Sequence, residues 1–195
     1  MTATPVAVTE QPIAEVARLA GIPIAFEVDR VLDVVNHNGA PELHERTITA
    51  PYVKDYDAIE GQGPATWARR FDVSRWGLLV AGHADAWLGA AVVAVDTPGL
   101  TVLGGRHDLA LLWDLRVAPE HRGRGVGRAL FQAAEVWAAG RGYRELRVET
   151  QNINVPACRF YARRGCALDA VAPGAYPAFP DEVQLLWRKP LNPPG

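Results

Sequence analysis

The chain has 195 residues, 49% of them hydrophobic, with a formal net charge of −2 and a pI near 6.2. That is enough chain to bury a core without staples, and the near-neutral balance gives no general electrostatic reason to expect nucleic acid, an anionic membrane or a strongly acidic surface as partner. With only Cys158 and Cys166, not spaced as CxxC, neither a disulfide framework nor a cysteine metal site is expected.

Residues 1–20 read as a ragged start and a short helix over 12–20, stopped by Gly21 with Pro23 just beyond. No basic region precedes an apolar run there, and nowhere does the chain offer the roughly 18 apolar residues of a membrane span, so a soluble, cytoplasmic protein is expected. Residues 22–35 alternate in places as a half-buried strand does, and HERTITAPY reads as the antiparallel partner across the turn-forming NHNGAPE. VKDYDAIEGQGPATWARR, polar and punctuated by Gly and Pro, predicts loop and short helical turns. WGLLVAG, AWLGAAVVAV and DLALLWDLRV then predict three strands of a meander.

Beyond Arg124 the period changes. Val126, Ala129, Leu130, Ala133, Ala134 and Trp137 draw one apolar face along a helix that stops near Gly140 or Gly142. YRELRVET predicts the next strand, NVPACRFYARRG a second helix with Pro156 in its first turn and Gly165 at its end, and DEVQLLWR the last strand. No repeat or linker divides the chain, so one α/β domain over residues 1–195 is expected, with its core at about 22–190.

The chemistry-bearing unit is strand, glycine-rich loop, helix: LLWDLRV, APEHRGRGVG, RALFQAAEVWAAG. A glycine turn that opens a helix leaves backbone N–H groups unpaired at the positive end of the helix dipole, where an anionic phosphate fits, and Arg122, Arg124 and Arg128 reinforce the sign. On spacing alone a purely structural turn is an equal alternative. The loop lacks the Lys and hydroxyl of a nucleoside-triphosphate loop, and it follows several strands rather than opening a parallel sheet as a dinucleotide-binding turn does.

These residues resemble the GNAT superfamily of N-acetyltransferases. Its cofactor loop, Arg or Gln, two residues, Gly, one residue, Gly or Ala, is met by Arg122, Gly125 and Gly127, and its Asn-x-x-Ala-x-x-x-Tyr element by Asn154, Ala157 and Tyr161. WDLRVAPEHRGRGVGRAL, LRVETQNINVPACRFYARRG and PYVKDYD are similar to the streptothricin acetyltransferase branch. The match is good in the C-terminal half and patchy in the N-terminal half, with Cys166 where many relatives carry an aromatic residue.

The resemblance implies a mixed, mostly antiparallel sheet of about seven strands flanked by helices, with splayed central strands. It further implies transfer from acetyl-CoA to a primary amine in a direct ternary complex. Main-chain groups of Leu115, Arg116 and Val117 would bind the pantetheine arm. The amides of Arg122, Gly123, Arg124, Gly125, Val126, Gly127 and Arg128 would hold the pyrophosphate.

Tyr161 would be the general acid, a phenol being able to protonate a departing thiolate; a helix tyrosine packed on the sheet is the alternative. Asn154, with Ala157, would bind the cofactor or organise the helix start, with Asn152 as another cap. Asp114 or Glu149 would take the ammonium proton or bind a cationic acceptor, Asp114 being placed slightly ahead, with a plain solvated carboxylate as an equal alternative. Tyr52, Lys54 and Tyr56 would line the acceptor side, a solvated loop with aromatic anchors being an equal alternative. The histidines at 37, 44, 83, 107 and 121 lack ligand spacing, so no metal is expected, and Cys158 lies inside a predicted helix, where packing is favoured over nucleophilic service.

The expected acceptor is a small cationic amine, with a streptothricin-type antibiotic foremost, and dimers among relatives leave a homodimer open. A protein lysine or N-terminus as acceptor, and a catalytically silent acyl-CoA sensor, are the rival readings.

Overall fold

A computed structural model describes residues 6–38, 40–83 and 86–192. In chain order its strands are β1 (Val8–Gln11), β2 (Phe26–His37), β3 (Ala40–Lys54), β4 (Gly77–His83), β5 (Ala86–Val95), β6 (Leu109–Val117), β7 (Glu145–Gln151), β8 (Ala167–Pro173) and β9 (Val183–Pro190), and its α-helices are α1 (Pro64–Arg70), α2 (Val126–Gly140) and α3 (Val155–Arg163). The described chain forms two compact units. The first takes residues up to Ile24, Tyr56–Leu146 and those from Pro190 on; the second takes Ala25–Asp55 and Arg147–Lys189.

In the first unit β1, β4, β5 and β6 lie side by side in that order, and each neighbouring pair is antiparallel. β4 and β5 read as near-continuous apolar runs because both of their faces are covered. Leu78, Val80, Val92 and Ala94 share one cluster with Val16, Leu19, Trp67 and Trp76, while Leu130, Phe131, Ala134 and Trp137 make the buried stripe of α2. The ring of Trp137 lies so close to Gly77 that a Cβ there would stand 2.5 Å from it.

The helix expected over 12–20 is a 3-10 helix, Ile13–Gly21. The stretch expected to be loop and short helical turns contains helix α1, which starts with Pro64 at its first position and, unlike the expectation, adds a buried residue, Trp67, to the core. β1 stands where a ragged start was expected.

In the second unit β2 and β3 pair as the antiparallel ribbon expected from the sequence, although the strand begins at Phe26 rather than at residue 22. Of the turn expected between them, Gly39 lies outside the described residues, as do residues 1–5 of the ragged start. β8 pairs antiparallel with β9, and β9 lies between β8 and β7. β8 was not expected: ALDAVAP is short and follows directly on Gly165. Asn152 ties these pieces together. Its backbone carbonyl accepts from Leu32 N at 2.9 Å, its side-chain amide donates to Leu32 O at 3.2 Å, and its Oδ1 accepts from Val183 N at 2.9 Å. β1 and β4–β9 answer the expectation of about seven strands.

Candidate active site

β6 carries the candidate residues of the first unit. Against β5 its register runs Val92↔Asp114 and then Val93↔Leu112, so Trp113 is an extra residue that bulges the strand. Such a bulge increases local twist and re-aims the side chains that follow it. Asp114 and Arg116 are buried beyond it, while Leu115 and Val117 are half-buried.

From Val117 the chain passes through a one-turn 3-10 helix, Pro119–His121, into the glycine loop. Gly123 (φ 73°) and Gly125 (φ 87°) take left-handed conformations, and a Cβ at either would meet nothing within 4 Å. Gly125 is the N-cap of α2 and has no side chain with which to satisfy the first amides, and the first backbone bond of the helix returns from Ala129 N to Gly125 O at 3.0 Å. Arg124 and Arg128 are exposed. Arg122 turns back instead: its Nε donates to Val117 O at 3.1 Å and its Nη2 to Pro23 O at 3.2 Å. Its side chain therefore fixes the base of the loop.

The Arg116 guanidinium is almost wholly engaged. Nε and Nη2 donate to Asp114, Nη1 and Nη2 donate to Asp57 at 2.5 and 2.9 Å, and Nη1 also reaches Ile22 O at 3.3 Å. Burial works against its charge, but the two carboxylates outweigh that and hold its pKa above the ordinary arginine value. Burial pushes the Asp114 carboxyl up, against the pull of the guanidinium. The Asp114 side chain is 4% exposed, and both of its oxygens accept from Arg116. That geometry is of a buried ion pair, with both carboxylate oxygens engaged by Arg116. Asp57, in the segment PYVKDYD, had no signal of its own beyond lying in a matching stretch.

The second unit carries α3. Its N-cap is Asn154, whose Oδ1 accepts from Ala157 N at 3.2 Å, which organises the helix start. Tyr161, two turns on, is 8% exposed. On β7 Glu149 is half-buried and its Oε1 accepts from the Tyr176 hydroxyl at 2.6 Å, while the same hydroxyl accepts from Gln151 Nε2 at 3.0 Å. Burial, then the charge and hydrogen bond of Glu149, push the Tyr176 phenol far up, which keeps it a proton-bearing donor. Sequence reading missed Tyr176 because GAYPAFPDE reads only as a turn-rich connection.

Of the residues expected on the acceptor side, Tyr52 on β3 is 44% exposed, and burial with the charges of Glu182 and Asp181 raises its phenol. Tyr56 lies just past β3, half-buried, its carbonyl accepting from Ile59 N at 3.2 Å. Lys54 is not presented to an acceptor: it is 7% exposed, its Nζ donates to Glu182 Oε1 at 2.5 Å, and the ammonium sits 3.4 Å from the centroid of Phe179. Both cysteines are buried thiols. Among the described residues no helix is long and apolar enough to cross a membrane.

The first unit thus presents the glycine loop and the strand end that leads to it, and the second unit presents Tyr161 on α3 and Glu149 on β7. Streptothricin acetyltransferase of Escherichia coli is 37% identical over 167 residues, 83% of this chain and 83% of that protein. Streptothricin acetyltransferase A of Bacillus subtilis (strain 168) is 40% identical over 80 residues, 40% of this chain, and the match spans about half of that relative's length, 46%. Among solved structures, that of a nourseothricin acetyltransferase superposes with a TM-score of 0.73 at 26% identity, covering 97% of this chain and 100% of that one. The model of the acetyltransferase (GNAT) family matches residues 42–166, the loop and Tyr161 included. The chain belongs to the acetyltransferase (GNAT) family, the acetyl-CoA-dependent N-acetyltransferases.

Proposed function

We propose that this protein moves the acetyl group of acetyl-CoA to a primary amine of a small cationic antibiotic of the streptothricin class, and so acts as a resistance enzyme. The glycine loop carries the reading. With Gly123 and Gly125 in left-handed conformations, open space around them and α2 uncapped by any side chain of Gly125, the loop suits a pyrophosphate. The acceptor class rests on the names of the relatives at 37% and 40% identity.

Acetyl-CoA supplies the thioester. The protein supplies the rest: main-chain groups of Leu115, Arg116 and Val117 hold the pantetheine arm, amides from Arg122 to Arg128 hold the pyrophosphate, and Arg124 and Arg128 add positive charge. Tyr161 protonates the departing thiolate. Glu149 rather than Asp114 receives the ammonium of the acceptor and draws off its proton, because the oxygens of Asp114 are committed to Arg116. Transfer is direct, since Cys158 is buried and its thiol is pushed up to about 11 by burial, against a hydrogen bond with Thr150. We place the reaction in the cytoplasm, where acetyl-CoA is available, and a homodimer is the assembly that sedimentation would test.

The test is thiol release from acetyl-CoA with streptothricin, an aminoglycoside, a polyamine and a lysine peptide, with Tyr161→Phe alongside. Turnover on streptothricin is expected, with kcat falling roughly 10²- to 10⁴-fold in the variant while acetyl-CoA affinity holds. Turnover on the lysine peptide alone moves the acceptor to a protein. Acetyl-CoA binding without turnover on any amine would leave a sensor, and no binding would end the reading altogether.

A further inference from the structure

Nine residues, 174–182, connect β8 to β9, more than a tight antiparallel turn needs. They are held firmly. Phe179 N donates to Tyr176 O at 2.9 Å and Glu182 N to Phe179 O at 3.0 Å, so the connection is a pair of consecutive turns in which Tyr176, Phe179 and Glu182 keep fixed relative places. The far end is pinned to β3. Lys54 and Glu182 form an ion pair at 2.5 Å whose side chains are each 9% exposed, and the Lys54 ammonium also covers the Phe179 ring. Removing water from such a pair is costly, and holding one defined geometry is its best-attested use.

What the pinned connection positions is the Tyr176 phenol. It accepts from Gln151 Nε2 and donates to Glu149 Oε1 at 2.6 Å, so the proton direction of the chain Gln151, Tyr176, Glu149 is fixed from one end to the other. A glutamate on a strand has three side-chain torsions and would otherwise sample several orientations.

We infer that Tyr176 is a positioning residue for the acceptor: it holds Oε1 of Glu149 in one place so that Oε2 is aimed at the incoming ammonium, and it makes the β8–β9 connection an element that selects cationic amines. This rests on the reading above in which Glu149 meets the acceptor. An ammonium held by one carboxylate oxygen, beside an aromatic ring whose hydroxyl secures the other, is bound more tightly than by a mobile carboxylate.

The experiment uses the full chain with acetyl-CoA and streptothricin, comparing Tyr176→Phe, Glu149→Gln and the double variant for kcat, KM of each substrate, Tm and acetyl-CoA affinity. Tyr176→Phe should raise the streptothricin KM about tenfold, the scale of one hydrogen bond to a charged group, with acetyl-CoA affinity and Tm unchanged. In the Glu149→Gln background the same change should add less than about twofold, since it acts through a group already removed. Gln151→Met, which removes one donor to the phenol and leaves Gln184 and Glu149 in place, should raise the same KM by less than Tyr176→Phe does. Losses that multiply in the double variant, an unchanged streptothricin KM in Tyr176→Phe, or a parallel loss of acetyl-CoA affinity would each overturn the inference. A parent protein that does not turn over streptothricin would instead sink the proposed function, and this inference with it.

Discussion

Asp114 and Arg116 stand two residues apart on β6, so their side chains share one side of the strand, and Nε of the arginine lies 2.9 Å from one carboxylate oxygen while its Nη2 lies 2.9 Å from the other. The guanidinium also takes Asp57, so it clips the segment after β3 to the strand that leads to the cofactor loop. Asp114→Asn should therefore act on stability first. Removing one member of a buried pair costs about 3–5 kcal/mol, and the variant should show a markedly lower Tm with kcat of the folded fraction nearly intact. Glu149→Gln should do the opposite, leaving Tm alone and cutting kcat/KM for the acceptor. A normal Tm with turnover lost in Asp114→Asn would return the base to Asp114.

The two glycines of the loop motif should respond differently to a methyl group. Gly125 sits at φ 87°, where an L-residue pays roughly 1–2 kcal/mol, so Gly125→Ala should relax the loop and weaken acetyl-CoA binding severalfold by calorimetry. Gly127 is already inside the first turn of α2, where alanine is the better helix former by about 1 kcal/mol. Gly127→Ala should keep Tm equal or higher, and equal weakening by both substitutions would show that backbone conformation is not what the loop requires of Gly125.

How much of this was legible beforehand follows from where the information lies. β4, β5, β6 and α2 were readable because each buries a face with its own period, and the loop between β6 and α2 because glycine there answers a backbone need that spacing reveals. Pro156 in the first turn and Gly165 at the end marked α3, and Asn154 caps it through Ala157 N. Tyr176 and Asp57 were not readable. Each acts through a partner 27 or 59 residues away in sequence, and no local pattern encodes a contact across that distance. Lys54 misled for the same reason, since its burial depends on Glu182, 128 residues on.

Thiol chemistry offers a direct check on the absence of an acetyl-enzyme. Cys158 and Cys166 are 3% and 6% exposed, and burial lifts the Cys158 thiol to about 11, so little thiolate exists near neutral pH. In the folded protein neither cysteine should react with an aromatic disulfide reagent on the minute timescale, and both should react once denaturant is added. Cys158→Ala should keep kcat within a few-fold. An acetyl group found on Cys158 by mass spectrometry during turnover would contradict direct transfer.

The first unit also carries a pH signature of its own. At the end of β5 the Asp96 carboxylate accepts from Tyr143 Oη at 2.8 Å and from His107 Nδ1 at 2.8 Å, and pairs with Arg75 at 2.8 Å. Burial pushes that carboxyl up, but its hydrogen bonds and the arginine charge outweigh burial and hold it below the ordinary aspartate value of 3.8. A depressed folded pKa means stability that is present above about pH 4 and lost as pH falls through the folded value. Tyr143 shifts the other way: burial and then Asp96 raise its phenol from 10.0 to about 12. Its stabilisation is complete below pH 10 and is lost as pH rises toward 12, because the unfolded chain gives up the proton first. Urea midpoints measured across pH should therefore fall at both ends for the parent. Asp96→Asn should make the acid limb shallower, and Tyr143→Phe should make the alkaline limb shallower, with Tyr176 still contributing there, while the acid limb survives through His107 and Arg75. An alkaline limb of undiminished slope in Tyr143→Phe would assign that loss to another group.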